Sequence, residues 1–370
     1  MSESCFVCTT PYQIIAAAAI AEDSHERPDL FVVPQFSGAA GYAERLRKTE
    51  LFSKVVLTDT SEIEAYKSRG SRLLYGAGIV ANYLKLGSIV RGLTGDAAYR
   101  KIYISSQANI GRLISLYYLK RGAEIIYFDD GEGSYDDNKI YEAKGIDRVI
   151  RRILFGRKSL RLSEKRKLYC PELFKKTFGD CFELERIPNW AGNAGLLKKI
   201  NEICGYTDDA RIRQKYILLD TIPEESFDQS GQEIYEKLVR ICIDTLGEQL
   251  IVKKHPRDKR TTEHSCQIYP YGAIPFEVIC ANSDIQNKVL ICSGSSAVLM
   301  PKLLFDSEPT VILLHHMTGA RLADTDKRET IIRYVKEMYC DQSRFIVPET
   351  PEAFAEALNK RIKQEESERV

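Results

Sequence analysis

Short apolar runs recur through the first half of the chain, at residues 5–9, 29–34, 54–58, 101–105 and 124–128. Stretches of helical periodicity separate them, near 41–48, 62–69, 73–91 and 110–120. A first helix is expected from Pro11, whose fixed φ suits an opening turn, to about residue 23. Strands alternating with helices predict a parallel sheet covered on both faces. The pattern restarts with strands at 215–219, 249–253, 266–269, 288–292 and 310–314. Helices are predicted at 232–246, from Pro275 onward, at 297–305, and as a charged amphipathic tail over 351–370. Residues 169–193, with Pro171, Pro188 and Gly192, read as a crossing between domains. Two α/β domains are therefore expected, 1–190 and 191–370.

Composition narrows the class without fixing it. A length of 370 and 44% apolar residues suffice for two cores, and a net charge of +1 argues against an obligate nucleic-acid binder. The start of the chain lacks the basic region of a secretory signal, and the apolar run 14–21 is too short to span a bilayer. A cytoplasmic enzyme is the expectation. Residues 73–90 are apolar enough to raise the membrane question, but Asn82, Lys85 and three glycines favour a buried or interfacial helix. The ten cysteines are scattered, several within apolar runs, and are expected as reduced core thiols. Cys5 and Cys8 have C-x-x-C spacing, yet residues three apart on a strand face opposite sides, so no metal or redox role is assigned.

Candidate chemistry collects at strand exits. Asp129-Asp130-Gly131-Glu132-Gly133 follows the strand at 124–128, and ligands of open α/β sheets bind at that end of a strand. Side-chain alternation allows one aspartate to face a pocket while the other supports it, and a simple turn cap is the competing explanation. His255 lies 125 residues beyond Asp130, pinned in extended geometry by Pro256 and flanked by Lys253, Lys254 and Arg257. Such an imidazole can serve as acid, base or phosphate ligand. Ser293-Gly294-Ser295-Ser296 joins a strand to a helix, an arrangement that suits a phosphate as well as a helix cap. Glu277 sits near the positive end of the helix opening at Pro275. His315-His316 ends a strand, and Asp324-Thr325-Asp326 reads as a solvated, salt-bridged turn rather than a metal clamp. Between Arg148 and Lys167 there are nine Lys or Arg and one acid, Glu164. That segment suits either a solvated helix face or peripheral contact with an anionic membrane.

Taken together, Thr9-Thr10-Pro11-Tyr12-Gln13, Asp129-Asp130-Gly131, His255-Pro256 and Ser295-Ser296 resemble the bacterial sialyltransferases, most closely the lipooligosaccharide and capsule sialyltransferases of glycosyltransferase family 52. The resemblance implies a GT-B-like fold, two Rossmann-like domains facing a central cleft. It implies inverting transfer of sialic acid from CMP-sialic acid to a galactose-type hydroxyl of an oligosaccharide or glycolipid acceptor, with no metal or other cofactor. The base would be Asp129 or Asp130, with Asp129 first choice, and His255 would assist the departing phosphate. Gly131, Lys254, Pro256, Glu277, Gly294, Ser295 and Ser296 would bind the donor, Glu277 through ribose hydroxyls, with Arg257 adding to the field. Thr10, Pro11 and Gln13 would lie on the acceptor side. Acids within 220–228, Glu224 and Glu225 among them, are second choice as base, and a homodimer is left open. The rival expectations are another nucleotide-sugar transferase of the same fold, and a non-catalytic nucleotide-sugar-binding protein of capsule assembly.

Overall fold

The computed structural model describes residues 2–60, 63, 72–105, 109–136, 142–255, 258, 266–319 and 325–368. The chain divides into two compact units, Met1–Gly205 and Tyr206–Val370. The first is built on strands β1 (Ser4–Cys8), β2 (Asp29–Val32), β3 (Lys54–Leu57), β4 (Lys101–Ile104), β5 (Glu124–Phe128), β6 (Lys165–Leu168) and β7 (Glu183–Arg186). They form one parallel sheet in the order β3-β2-β1-β4-β5-β6-β7, a Rossmann-like arrangement whose strand order reverses beside β1. Alternation fills both faces. Cys5, Val7, Ile102, Ile104, Ile125 and Tyr127 enter one core with helix residues Ile114 and Tyr118, while Phe6 stacks on Tyr103 at 4.3 Å and meets Phe128 at 5.5 Å.

The strands and helices expected in the first half are present, with one helix split and one outside the described residues. The apolar stretch near 73–91 forms two helices, Arg72–Leu84 and Leu86–Thr94. No described helix is long and apolar enough to cross a membrane. The helix expected near 62–69 lies outside the described residues, apart from Ile63. Strands β6 and β7 are additions, since their sequences Lys-Arg-Lys-Leu and Glu-Leu-Glu-Arg lack the apolar signal of a strand. Their charges pair across the sheet instead: Lys165 Nζ lies 2.9 Å from Glu124 and 3.3 Å from Glu183, and Lys167 Nζ 2.5 Å from Glu185.

The second unit repeats the plan with β8 (Tyr216–Leu219), β9 (Leu250–Lys253), β10 (Gln267–Ile268), β11 (Val289–Cys292), β12 (Thr310–Leu313) and β13 (Phe345–Ile346). Its parallel sheet runs β10-β9-β8-β11-β12-β13, so the order reverses at β8. The helix Gln229–Leu246 packs Tyr235, Leu238 and Cys242 into this core, together with Phe354 and Leu358 of the last helix, Pro351–Glu368. Asp228 caps the former helix by accepting from Gly231 N at 2.8 Å. Gly231 is required there, because a Cβ would collide with the backbone oxygen of Thr318. Pro275 stands just before its helix, Phe276–Ala281, rather than inside the first turn. All ten cysteines are free.

Candidate functional site

In the first unit the strand-exit motifs meet. β5 ends at Asp129, which is fully buried and collects four donors. Tyr12 Oη and Gly131 N donate to Oδ1 at 3.0 and 2.8 Å, and Tyr169 N and Tyr135 Oη donate to Oδ2, the former at 3.1 Å. Gly131 holds φ at 83°, the left-handed conformation that folds its N–H back onto the aspartate. Burial raises the pKa of Asp129, and the four donors pull it back toward the ionised form.

Asp130 is placed differently. It is half-buried, and Oδ1 accepts from Gln13 Nε2 at 2.6 Å. Its other oxygen, Oδ2, meets no donor among the described residues. Its own N–H donates to Ser134 Oγ at 2.8 Å, which fixes the turn. Burial, opposed by the Gln13 hydrogen bond and reinforced by the charge of Asp129, lifts its pKa to about 7. Gln13 is itself immobilised: Oε1 accepts from Thr9 N at 2.6 Å and from Thr9 Oγ1 at 3.1 Å, which leaves its amide N–H to Asp130. Thr10 caps the helix Pro11–Ser24 by accepting from Gln13 N at 3.2 Å, with Pro11 in the first turn. Thr10, Pro11 and Gln13 thus build the frame around the aspartate pair. Asp129, the base preferred from sequence, is fully enclosed by its donors, while Asp130 is half-buried.

In the second unit, His255, Gly294, Ser295 and Ser296 line one cavity of about 250 Å³ with Asp220, Thr221, Ile222, Glu225 and Ser226. These residues follow β9, β11 and β8, so the cavity stands over the strand ends where the sheet order reverses. Asp220 ties the floor together: its N–H donates to Lys253 O at 2.9 Å, and Oδ1 accepts from Tyr235 Oη at 2.6 Å and Thr221 N at 2.9 Å. Thr221 Oγ1 and Ser226 Oγ are 2.7 Å apart. The Ser293–Ser296 turn is braced from two sides. Arg328 Nη2 donates to Gly294 O at 2.6 Å, and Ser293 Oγ lies 2.6 Å from Thr318 Oγ1. Ser295 also caps the turn that follows, accepting from Ala297 N at 3.3 Å. Hydroxyls and an imidazole around a cavity of this size suit a phosphate ester.

Lys254 and Glu277 are not among the residues that line this cavity. Lys254 forms an ion pair with Asp258 at 3.6 Å. Lys253, named from sequence only as a cation flanking His255, is buried with Nζ donating to Gly272 O at 3.4 Å. Burial depresses its pKa to about 8, with Glu277 acting in the opposite direction. Glu277 is half-buried in the first turn of Phe276–Ala281; burial raises its pKa and Lys253 offsets part of that. Pro256, Arg257 and Asp324, with the side chain of Asp326, lie outside the described residues. Thr221, Ser226, Tyr135 and Tyr169 carry no site signal that the sequence pattern brought forward. A sheet-exit Asp-Thr followed by Pro223 was the available signal for the first two.

Among the described residues one cluster could hold a metal ion. His315, His316 and Glu329 bring ligand atoms within 4.8 Å of one another. Both Nε2 atoms already approach a single carboxylate oxygen, Glu329 Oε1, at 2.7 and 3.1 Å. Burial depresses the His315 pKa, with Glu329 opposing the shift. A hydrogen-bonded trio accounts for this geometry without an ion.

No family model matches the chain, and no match is found among curated proteins. Solved structures do match over both units. The glycotransferase of kitacinnamycin matches with a TM-score of 0.56 at 8% identity, covering 97% of this chain and 90% of its own. The UDP-GlcNAc 2-epimerase of Methanocaldococcus jannaschii follows with 0.53 at 12% identity, covering 97% and 92%. A UDP-N-acetylglucosamine 2-epimerase from Listeria monocytogenes gives 0.51 at 11%, covering 99% and 90%. The fold is GT-B-like, two Rossmann-like units in succession.

Proposed function

We propose that this protein is a glycosyltransferase acting on a nucleotide-activated sugar. The observation that carries the reading is the convergence of His255, Gly294, Ser295 and Ser296 on one cavity at the strand-order reversal of the second unit. The first unit carries, in its own strand-exit frame, a half-buried carboxylate, Asp130, whose pKa is lifted to about 7, the range a general base needs. In this reading Asp130 takes the proton of an acceptor hydroxyl as that oxygen bonds to the anomeric carbon. The bond from carbon to phosphate oxygen breaks, and His255 with Ser295 and Ser296 hydrogen-bonds the phosphate that leaves. Asp129, Gln13 and Tyr12 keep Asp130 in place. Proton transfer of this kind gives about 10²–10⁴-fold, so orientation and charge stabilisation supply the rest.

The finer reading is inverting sialyl transfer from CMP-sialic acid to a cell-surface glycan, without a metal. It rests on the resemblance carried by the motifs at residues 9–13, 129–131, 255–256 and 295–296. A cytoplasmic location with peripheral contact to an anionic membrane belongs to it. A second reading, chemistry on a UDP-sugar, is favoured by the names of the two epimerases that share the fold. Titration calorimetry with CMP, UMP and UDP separates the two. Preference for CMP, lost in His255→Ala and Ser295→Ala, supports the sialyl reading, whereas preference for UDP moves the donor to a UDP-sugar.

A further inference from the structure

The helix Gly145–Phe155 packs Ile150 and Phe155 against the core, yet its two buried residues are charged. Asp147 and Arg151 point into the unit, where Asp147 Oδ2 lies 3.5 Å from Arg112 Nη1 and 3.4 Å from Arg151 Nη1 and the carboxylate also accepts from Tyr83 Oη. The outer face of the helix is aliphatic, with Ile146, Val149 and Ile153 exposed by 55%, 57% and 76%. Their spacing of three and four residues puts them on one stripe. The neighbouring helix Arg72–Leu84 extends the surface with Tyr75 and with Leu84, 75% exposed, and the two helices touch where Gly76 meets Ile146. Leu84 and Leu154 then share a pocket of about 330 Å³ whose rim includes Lys120 and Arg121. Among the described residues every exposed large apolar side chain except Leu57 belongs to these two helices. An apolar surface of this kind marks an interaction site rather than ordinary scatter.

The charges around the stripe identify what covers it. Of the nine basic residues between Arg148 and Lys167, five are committed to the fold: Arg151 to Asp147, Arg161 to Glu164, Lys165 to Glu124 and Glu183, Lys167 to Glu185, and Arg166 to the rings of Phe174 and Phe182. The other four, Arg148, Arg152, Arg157 and Lys158, are exposed, and their side chains make no ion pair or hydrogen bond among the described residues. All four lie on or just after the helix that carries the stripe. A second copy of the chain meeting this face about a two-fold axis would set these cations against their own equivalents. An anionic lipid surface satisfies both halves, taking aliphatic side chains below the headgroups and cations among the phosphates.

We propose that this face, Ile146, Val149 and Ile153 with Leu84 and the four free cations, docks the protein on anionic membrane. The docking deepens the peripheral contact named under the proposed function but is argued from this face alone, and donor turnover in lipid-free solution tests the transferase reading separately. The experiment is co-sedimentation of the full chain with vesicles of phosphatidylcholine alone or mixed with phosphatidylglycerol. Binding is expected only to the anionic vesicles and to weaken as salt rises. Val149→Ser with Ile153→Ser, and Arg148→Gln with Arg152→Gln, should each weaken it by about tenfold or more, while Ile153→Leu retains it. Thermal unfolding of these variants should match the parent, since the altered side chains are exposed. Absence of vesicle binding by the parent, or equal binding by parent and Ser variants, overturns the proposal. So does a lipid-free dimer of the parent that Ile153→Ser dissolves, which would assign the face to a second copy.

Discussion

Gln13 Nε2 donates to Asp130 Oδ1 at 2.6 Å across a sequence separation of 117 residues. The contact joins the first turn of the helix Pro11–Ser24 to the turn after β5, and Thr9 holds the Gln13 amide in place. Because this hydrogen bond lowers the Asp130 pKa, its loss must raise it. Gln13→Ala should therefore move the ascending limb of the pH–rate profile to higher pH and lower the rate at pH 7 by roughly tenfold, with nucleotide affinity unchanged. Unchanged pH dependence would separate Gln13 from the reacting carboxylate.

The two aspartates should fail in different ways. Asp130→Asn is expected to remove turnover while leaving the fold intact. Asp129→Ala leaves Tyr12, Tyr135, Gly131 N and Tyr169 N without their acceptor, and should cost ~3 kcal/mol of stability or more. Denaturant unfolding alongside activity reads the two effects separately.

Asp130 also ties stability to pH. Its folded pKa of about 7 lies above the ordinary aspartate value of ~3.9, so the folded state holds this proton more tightly. The stability it contributes is fully present below pH ~4 and is lost as pH rises through about 7. The melting temperature of Asp130→Asn relative to the parent should therefore climb between pH 5 and 8, as thermal unfolding across that range would show.

Both Rossmann-like units were legible because their central strands are apolar and their helices start at recognisable caps. The edge of the first sheet was not, since Lys-Arg-Lys-Leu and Glu-Leu-Glu-Arg become strands through cross-strand ion pairs that only the folded register brings together. Asp129, Asp130, His255 and Ser295 stood out as motifs at strand exits. Which aspartate is buried was not readable, because it depends on Tyr12, Tyr135 and Tyr169, three residues far apart in the chain. Likewise, the basic stretch 148–167 looked uniform in sequence, yet the structure divides it into residues used in the fold and residues left outside.

Gly231→Ala should destabilise the second unit by ~2 kcal/mol or more, since the added methyl meets the backbone oxygen of Thr318 and neither helix can give way alone. Thr318 also supports Ser293 of the Ser293–Ser296 turn, so, if that turn binds the donor as proposed, nucleotide affinity should fall with stability. Loss of stability at full nucleotide affinity would uncouple the helix contact from the cavity.

The most direct test of the account is release of CMP from CMP-sialic acid by the purified protein in EDTA, with and without a galactose-terminated acceptor, beside Asp130→Asn and His255→Ala. Release is expected to survive EDTA, to rise with acceptor and to be lost in both variants. Release abolished by EDTA, or retained at parental rate in Asp130→Asn, would contradict it.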